Sequence, residues 1–266
     1  MGERKRPPLE IDLRIEEDVR NKLEETEKIG KTFEELIDIA NSRPKREWLM
    51  EGLFPKGGYS MIFAPTKGFK SAIVSALCNA ISRGESLFDE TPKTSKETER
   101  VLYLDGELHP EDWSERFDFY GSPNLNVVTA SEIWDLDISD NLQKLIDFLT
   151  NAYLKGYTTI VIDHIGILTS NHAEQKIAVK YGRALVALMA KVDAMTERAN
   201  TLILITHSRK YEVKDTELGV SKYDMGGSYE WAKGAVSVVA TNRRKDIRIE
   251  DDGVTGIYVK AIESRR

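Results

Sequence analysis

The chain has 266 residues, a formal net charge of −6 and a single cysteine, Cys78. That length suits one large domain or a domain with an appendage, and the apolar content suffices for a sizeable core. An intrachain disulfide and a thiol-lined metal site are excluded, and the acidic balance argues against a general polyanion-binding surface while leaving room for a local basic groove.

Residues 1–45 are dominated by Glu, Lys and Arg, with a thin apolar stripe of Leu13, Ile15, Val19 and Leu23. Thr32 and Glu35 have the spacing of a capping box and predict a short helix through Ile39, ended by Pro44. The segment reads either as a solvated helical tail or as an arm that docks on a neighbouring subunit. It lacks the apolar core of a signal peptide. No apolar run approaches the roughly 20 residues a membrane helix needs, so a soluble cytoplasmic location is expected, with no membrane partner.

From Trp48 onward short apolar runs alternate with helical patterns. Residues 59–63, 101–104, 159–162 and 201–206 read as buried strands. Residues 71–81, 141–153 and 175–198 read as helices. In the last, Ile177, Tyr181, Leu185, Leu188, Val192 and Met195 recur at helical spacing. The alternation predicts an α/β fold, a mostly parallel sheet with helices on both faces. Near the end, residues 235–242 and 255–262 flank a charged turn at Asp251, Asp252 and Gly253, which predicts an antiparallel hairpin.

The first strand runs into APTKGFKS, and a helix follows. A phosphate-binding loop has the pattern G-x-x-x-x-G-K-[ST]. It cradles phosphate with backbone N–H groups, reaches it with lysine, and offers a hydroxyl to Mg²⁺ at a helix start. Lys70 and Ser71 satisfy the last two needs, and Gly68 adds flexibility. Ala64 and Phe69 stand where the two glycines belong. If the position before the lysine needs a positive φ, Phe69 carries a cost of roughly 1–2 kcal/mol. Alone, GFKS reads as a lysine capping a surface helix.

Three further strand ends accompany it. VLYLDGEL places Asp105 and Glu107 at a carboxyl edge, and Glu107 can orient or deprotonate an attacking water. IVIDHIGIL ends its strand at Asp163, where an acid can help hold Mg²⁺. TLILITHSRK brings His207 to a strand tip, where it can bond a γ-phosphate or act as a structural histidine. His164 and His172 have no clear task. The four histidines are scattered in sequence without ligand spacing, so no structural metal is expected. The polar stretch after Lys210 contains Tyr211, Tyr223, Tyr229 and Trp231, which can stack bases or pack onto the sheet.

Together these residues resemble the RecA-like P-loop ATPases, in particular the plasmid RepA and DnaB-type hexameric helicase branch with its phage and plasmid relatives. The resemblance covers residues 46–266, with 1–45 as a helical N-terminal arm. It implies a nucleotide loop of Ala64, Pro65, Thr66, Lys67, Gly68, Phe69, Lys70 and Ser71. It gives Glu107 the catalytic role, Ser71 and Asp163 the Mg²⁺, and His207 phosphate sensing. Gly226, Gly227 and Ser228 stand where the family has R-G-S. A basic residue on a late strand would complete a neighbour's site; Lys260 and Arg265 are the candidates, with Arg243 and Arg244 as alternatives.

The resemblance implies ATP hydrolysis by a helicase-like motor on single-stranded DNA in replication, in a homo-oligomer, most simply a hexameric ring. Segments 169–178 and 211–227 would grip DNA, and the arm would recruit a replication partner. Two other readings stay open. One is a filament-forming recombination or annealing ATPase. The other is a KaiC-type nucleotide-gated assembly protein that binds no nucleic acid, which the overall acidity favours.

Overall fold

The computed structural model describes residues 31–42, 46–65, 69–88, 92–108, 110–116, 121–207, 229–248 and 255–264. The chain divides into two compact units, Met1–Lys45 and Arg46–Arg266. In the first, helix α1 spans Phe33–Ser42. Its start is a reciprocal capping box: Thr32 N–H donates to Glu35 Oε2 at 2.8 Å, and Glu35 N–H donates to Thr32 Oγ1 at 3.1 Å. Two donors that helix geometry would leave unpaired are thereby satisfied.

The second unit is built on a seven-stranded sheet of order β5-β4-β6-β7-β3-β8-β9. Its strands are β3 (Gly58–Ala64), β4 (Val101–Asp105), β5 (Leu125–Val128), β6 (Thr159–Asp163), β7 (Thr201–His207), β8 (Ser237–Arg248) and β9 (Thr255–Ser264). Every neighbouring pair is parallel except β8 and β9, which form the expected hairpin. Strand β8 also pairs in parallel with β3, so the hairpin extends the main sheet. A separate two-stranded sheet joins β1 (Trp48–Met50) to β2 (Phe54–Pro55).

Strand periodicity sorts the core into two layers. Tyr59, Met61, Phe63, Leu102, Leu104, Ile160, Ile162, Leu202 and Leu204 face one cluster. It is closed by α5 (Leu142–Leu154) and α6 (Gln175–Thr196), through Leu145, Leu149, Tyr181, Leu185 and Val192. The intervening residues Ile62, Tyr103, Val161, Ile203 and Ile205 face the other side. There α2 (Lys70–Arg83) packs Val74, Leu77, Cys78 and Ile81 against them. Helices therefore cover both faces, as the alternation predicts.

Three predicted helices are found with ends shifted by up to about two residues, ordinary fraying at termini. Asn141 caps α5, accepting from Lys144 N–H at 3.2 Å. The sequence reading omitted α3 (Pro110–Arg116), β5 and α4 (Ala130–Leu136). Strand β5 is a half-buried edge, so its pattern LNVV lacks the full apolar run of its neighbours. Among the described residues, no helix is long and apolar enough to cross a membrane.

Candidate active site

The carboxyl ends of β3, β4, β6 and β7 lie at one edge of the sheet. Ala64 pairs with His207, and Asp105 pairs with Asp163, which in turn pairs with Ile205, two residues before His207. Four residues distant in sequence thus end their strands at the same edge, where open α/β sheets place their ligands.

The loop from β3 to α2 can be followed at both ends. Ala64 is buried at the strand end, and Pro65 is half-buried beyond it. Thr66, Lys67 and Gly68 lie outside the described residues. Phe69 caps α2 in the left-handed conformation, φ 59° and ψ 16°. A side chain with a Cβ thus occupies the geometry a glycine would adopt freely, at roughly 1–2 kcal/mol. The Phe69 carbonyl accepts the Ile73 N–H at 2.9 Å.

Lys70 is the first residue of α2, and its side chain is buried. Burial pulls its ammonium below the ordinary value, against the opposing attraction of Asp163 and Glu107. Its Nζ lies 3.2 Å from His207 Nδ1. On the other side of the ring, His207 Nε2 lies 3.4 Å from Glu107 Oε1. Lysine, histidine and glutamate form one chain. The His207 bond is the main cause holding the Glu107 carboxyl below its usual range, with burial opposing and His164, Lys70 and the His207 charge assisting.

Asp105 shapes the turn that presents Glu107. Its Oδ1 accepts the N–H groups of Glu107 and Leu108, each at 2.9 Å. Its Oδ2 accepts the Trp113 indole N–H at 2.9 Å. The Asp105 side chain therefore builds the turn after β4, with both of its oxygens engaged. Trp113 also sits edge-on to Tyr103, ring centres 4.9 Å apart.

Asp163 is buried at the end of β6, and its Oδ2 accepts the Tyr103 hydroxyl at 2.7 Å. Burial pushes its carboxyl up. Ser71 and Tyr103 pull it down, and the charges of Asp105 and Glu107 push it up again. Its Oδ1 is buried and makes no hydrogen bond of ordinary geometry, although Ser71 is near enough to act on the carboxyl. An oxygen left over beside a serine hydroxyl suits a hard cation, so these residues fit Mg²⁺.

The histidines are not scattered in space. The tips of β6 and β7 are neighbours, so His164 and His207 stand with ring centres 5.2 Å apart. His164 Nε2 lies 3.3 Å from Glu107 Oε1. His172 lies next to them, 6.5 Å from His164. Glu107, His164 and His207 thus form a metal-sized cluster that sequence spacing concealed. The outer nitrogens argue against an ion there. His164 Nδ1 accepts the Gly166 N–H at 2.9 Å, and His207 Nδ1 faces the Lys70 amine. Each neutral ring then carries its proton on Nε2, the atom facing Glu107, whereas a metal needs that nitrogen bare.

The other candidates fall as follows. Trp231 is fully buried, its ring 5.9 Å from Tyr181 and its N–H bonded to the His172 carbonyl at 3.0 Å. Trp231 packs the core and is not available to stack a base. Tyr229 opens the short 3-10 turn Tyr229–Gly234. Tyr211, Tyr223, Gly226, Gly227, Ser228 and the segment 211–227 lie outside the described residues, as does Arg265. Lys260 is on β9 opposite Ala240, and Arg243 and Arg244 are on β8. In segment 169–178, Asp140 accepts from the Thr169 hydroxyl at 2.5 Å and the Ser170 hydroxyl at 2.9 Å. Tyr103, Trp113 and His164 were missed as site residues. Only the β4 alternation, which sends Tyr103 toward the α2 face, and the adjacency of His164 to Asp163 hinted at them.

A family model described as an AAA domain matches residues 24–212. The chain belongs to the AAA domain family. Solved structures resemble this AAA domain in fold. A KaiC-like protein from the hyperthermophilic archaeon Pyrococcus horikoshii is 15% identical with a TM-score of 0.50, over 82% of this chain and 83% of that one. The flagellar accessory protein FlaH from Methanocaldococcus jannaschii is 13% identical with a TM-score of 0.49, over 79% and 80% of the two chains. No curated protein matches the sequence. The AAA domain is thus an α/β unit similar to RecA-like folds, and its strand order places the strand tips described above along one edge.

Proposed function

We propose that this AAA domain hydrolyses ATP and works as a helicase-like motor on single-stranded DNA, assembled as a ring. The observation that carries the hydrolytic part is the chain Lys70–His207–Glu107, with Ser71 and Asp163 beside it. ATP phosphates lie on residues 64–71 at the start of α2, where N–H groups and the helix dipole favour anions. Lys70 meets the β- and γ-phosphates. Glu107, kept ionised by its neighbours, orients the attacking water and takes its proton. His207 touches both Lys70 and Glu107, so it can relay whether a γ-phosphate is present. Ser71 and Asp163 would hold Mg²⁺, which when bound would neutralise developing phosphate charge.

The motor reading rests on the order of motifs resembling the RepA and DnaB-type branch. In that reading residues 46–266 are the motor and 1–45 an arm that recruits a replication partner. Lys260 or Arg265 of one subunit, or Arg243 or Arg244, completes the site of the next.

The test is ATP hydrolysis by the purified protein with and without single-stranded DNA, with Lys70→Ala as control. DNA-stimulated hydrolysis abolished in the control supports the motor. Hydrolysis indifferent to DNA replaces it with the nucleotide-gated assembly reading. Nucleotide binding without hydrolysis overturns the catalytic role of Glu107.

A further inference from the structure

We propose that His164 is a positioning residue of this site: its Nε2 edge, 3.3 Å from Glu107 Oε1 in an electrostatic contact, holds that oxygen and leaves the other carboxylate oxygen to address the attacking water. The inference rests on the reading of Glu107 as the base.

Three observations build the anchor. First, His164 Nε2 lies 3.3 Å from Glu107 Oε1, the same oxygen that His207 approaches from its own strand. Two imidazoles therefore converge on one oxygen. Second, the Gly166 N–H bond to His164 Nδ1 at 2.9 Å fixes the tautomer, putting the ring proton on the side of Glu107. Third, the ring has a berth that only glycine permits. A Cβ at Gly166 would stand 2.3 Å from His164 Cε1 and 2.7 Å from Nδ1.

The turn carrying Glu107 is held against the same segment. The Gly106 N–H donates to the Asp163 carbonyl at 2.8 Å, and a Cβ at Gly106 would collide with Ile167 at 2.6 Å. The turns 105–107 and 163–167 are therefore packed to backbone contact. His164 spans the remaining gap.

The geometry separates two duties. His207 contacts Lys70 and so lies on the phosphate side of Glu107. His164 is anchored to the Gly166 N–H and has no such link to Lys70 on its ring nitrogens, and its role is to hold the carboxylate in one orientation. A carboxylate with one oxygen pinned loses rotational freedom before substrate arrives, which favours the transition state and not ground-state binding.

The test uses the full chain and its steady-state ATP hydrolysis. His164→Leu should lower kcat about tenfold with the KM for ATP unchanged. His164→Gln, whose amide N–H reaches the same place as Nε2, should recover most of that loss. Gly166→Ala should resemble the leucine variant. Full kcat in His164→Leu, or equal loss in the leucine and glutamine variants, overturns the proposal. Glu107→Gln separates the two levels: if it remains active, the reading of Glu107 fails and the anchor with it. If it is inactive while His164→Leu is not, the anchor alone fails. Nitrogen NMR of ring-labelled histidine gives a readout independent of hydrolysis. A proton on His164 Nε2 whose shift changes in Glu107→Gln supports the anchor, and a proton on Nδ1 overturns it.

Discussion

His207 Nδ1 lies 3.2 Å from Lys70 Nζ, so the lysine proposed to address phosphate already has a partner on the neighbouring strand tip. The same ring holds Glu107 from its other nitrogen. His207→Ala cuts both links. Hydrolysis should fall tenfold or more, to the order of magnitude expected when a positioned hydrogen bond to a charged group is lost. The pH dependence should move as well. Glu107 is held below its usual value chiefly by His207, so its base form survives into acid. Without the donor its pKa rises, and the acid limb of the rate profile should shift to higher pH. A pH–rate profile of the two proteins measures this.

Phe69 occupies left-handed backbone that glycine would adopt without strain. Phe69→Gly removes roughly 1–2 kcal/mol of conformational cost, while the freer unfolded chain takes back roughly 0.5–1 kcal/mol. Stability should therefore rise by about 0 to 1.5 kcal/mol, and hydrolysis should be preserved or faster. A collapse of activity would show that the phenyl ring has a duty of its own. Thermal melts and turnover of the variant distinguish the outcomes.

Tyr103→Phe removes the hydroxyl that Asp163 Oδ2 accepts. The carboxylate is buried, and its other oxygen has no bond of ordinary geometry. Loss of the donor should lower stability by about 1–3 kcal/mol. A denaturant titration would show the shift in midpoint with an unchanged slope.

Lys56 anchors the entry to β3. Its Nζ lies 2.5 Å from Glu97, 2.8 Å from Glu99 and 3.4 Å from Glu47. Burial opposes its charge, but the bonds and charges of Glu97 and Glu99 outweigh burial and raise its pKa above the ordinary 10.5. A lysine raised on folding contributes its stability fully below the unfolded value and loses it as pH climbs through the folded one. Lys56→Met should cost about 2 kcal/mol at neutral pH, less than a fully buried pair because Glu47 and Glu97 are exposed. The difference from wild type should shrink above pH 10.5. Urea midpoints at pH 7 and pH 11 test it.

Much of this protein was legible from the chain alone. Strands β3, β4, β6 and β7 are apolar runs, and helices α2, α5 and α6 show helical spacing; both signals are local. The ends of those runs named Glu107, Asp163 and His207, because a polar residue closing a buried strand is visible in one dimension, and the loop pattern named Lys70 and Ser71. The φ of Phe69 was an open condition in the sequence, and the structure gives it as 59°.

The sequence by itself thus determined the main buried strands and long helices, the α/β class and the polar residues at the strand ends, since periodicity and propensity act within a few residues. Only the tertiary structure decided which of those residues meet. Strand order β5-β4-β6-β7-β3-β8-β9 puts His164 and His207 on adjacent tips and lays Tyr103 against Asp163. It also sends Trp231 into the core beside Tyr181, away from any base. Such pairings join residues about 40 to 60 positions apart, where no local pattern reaches and where strand order and register decide which residues meet.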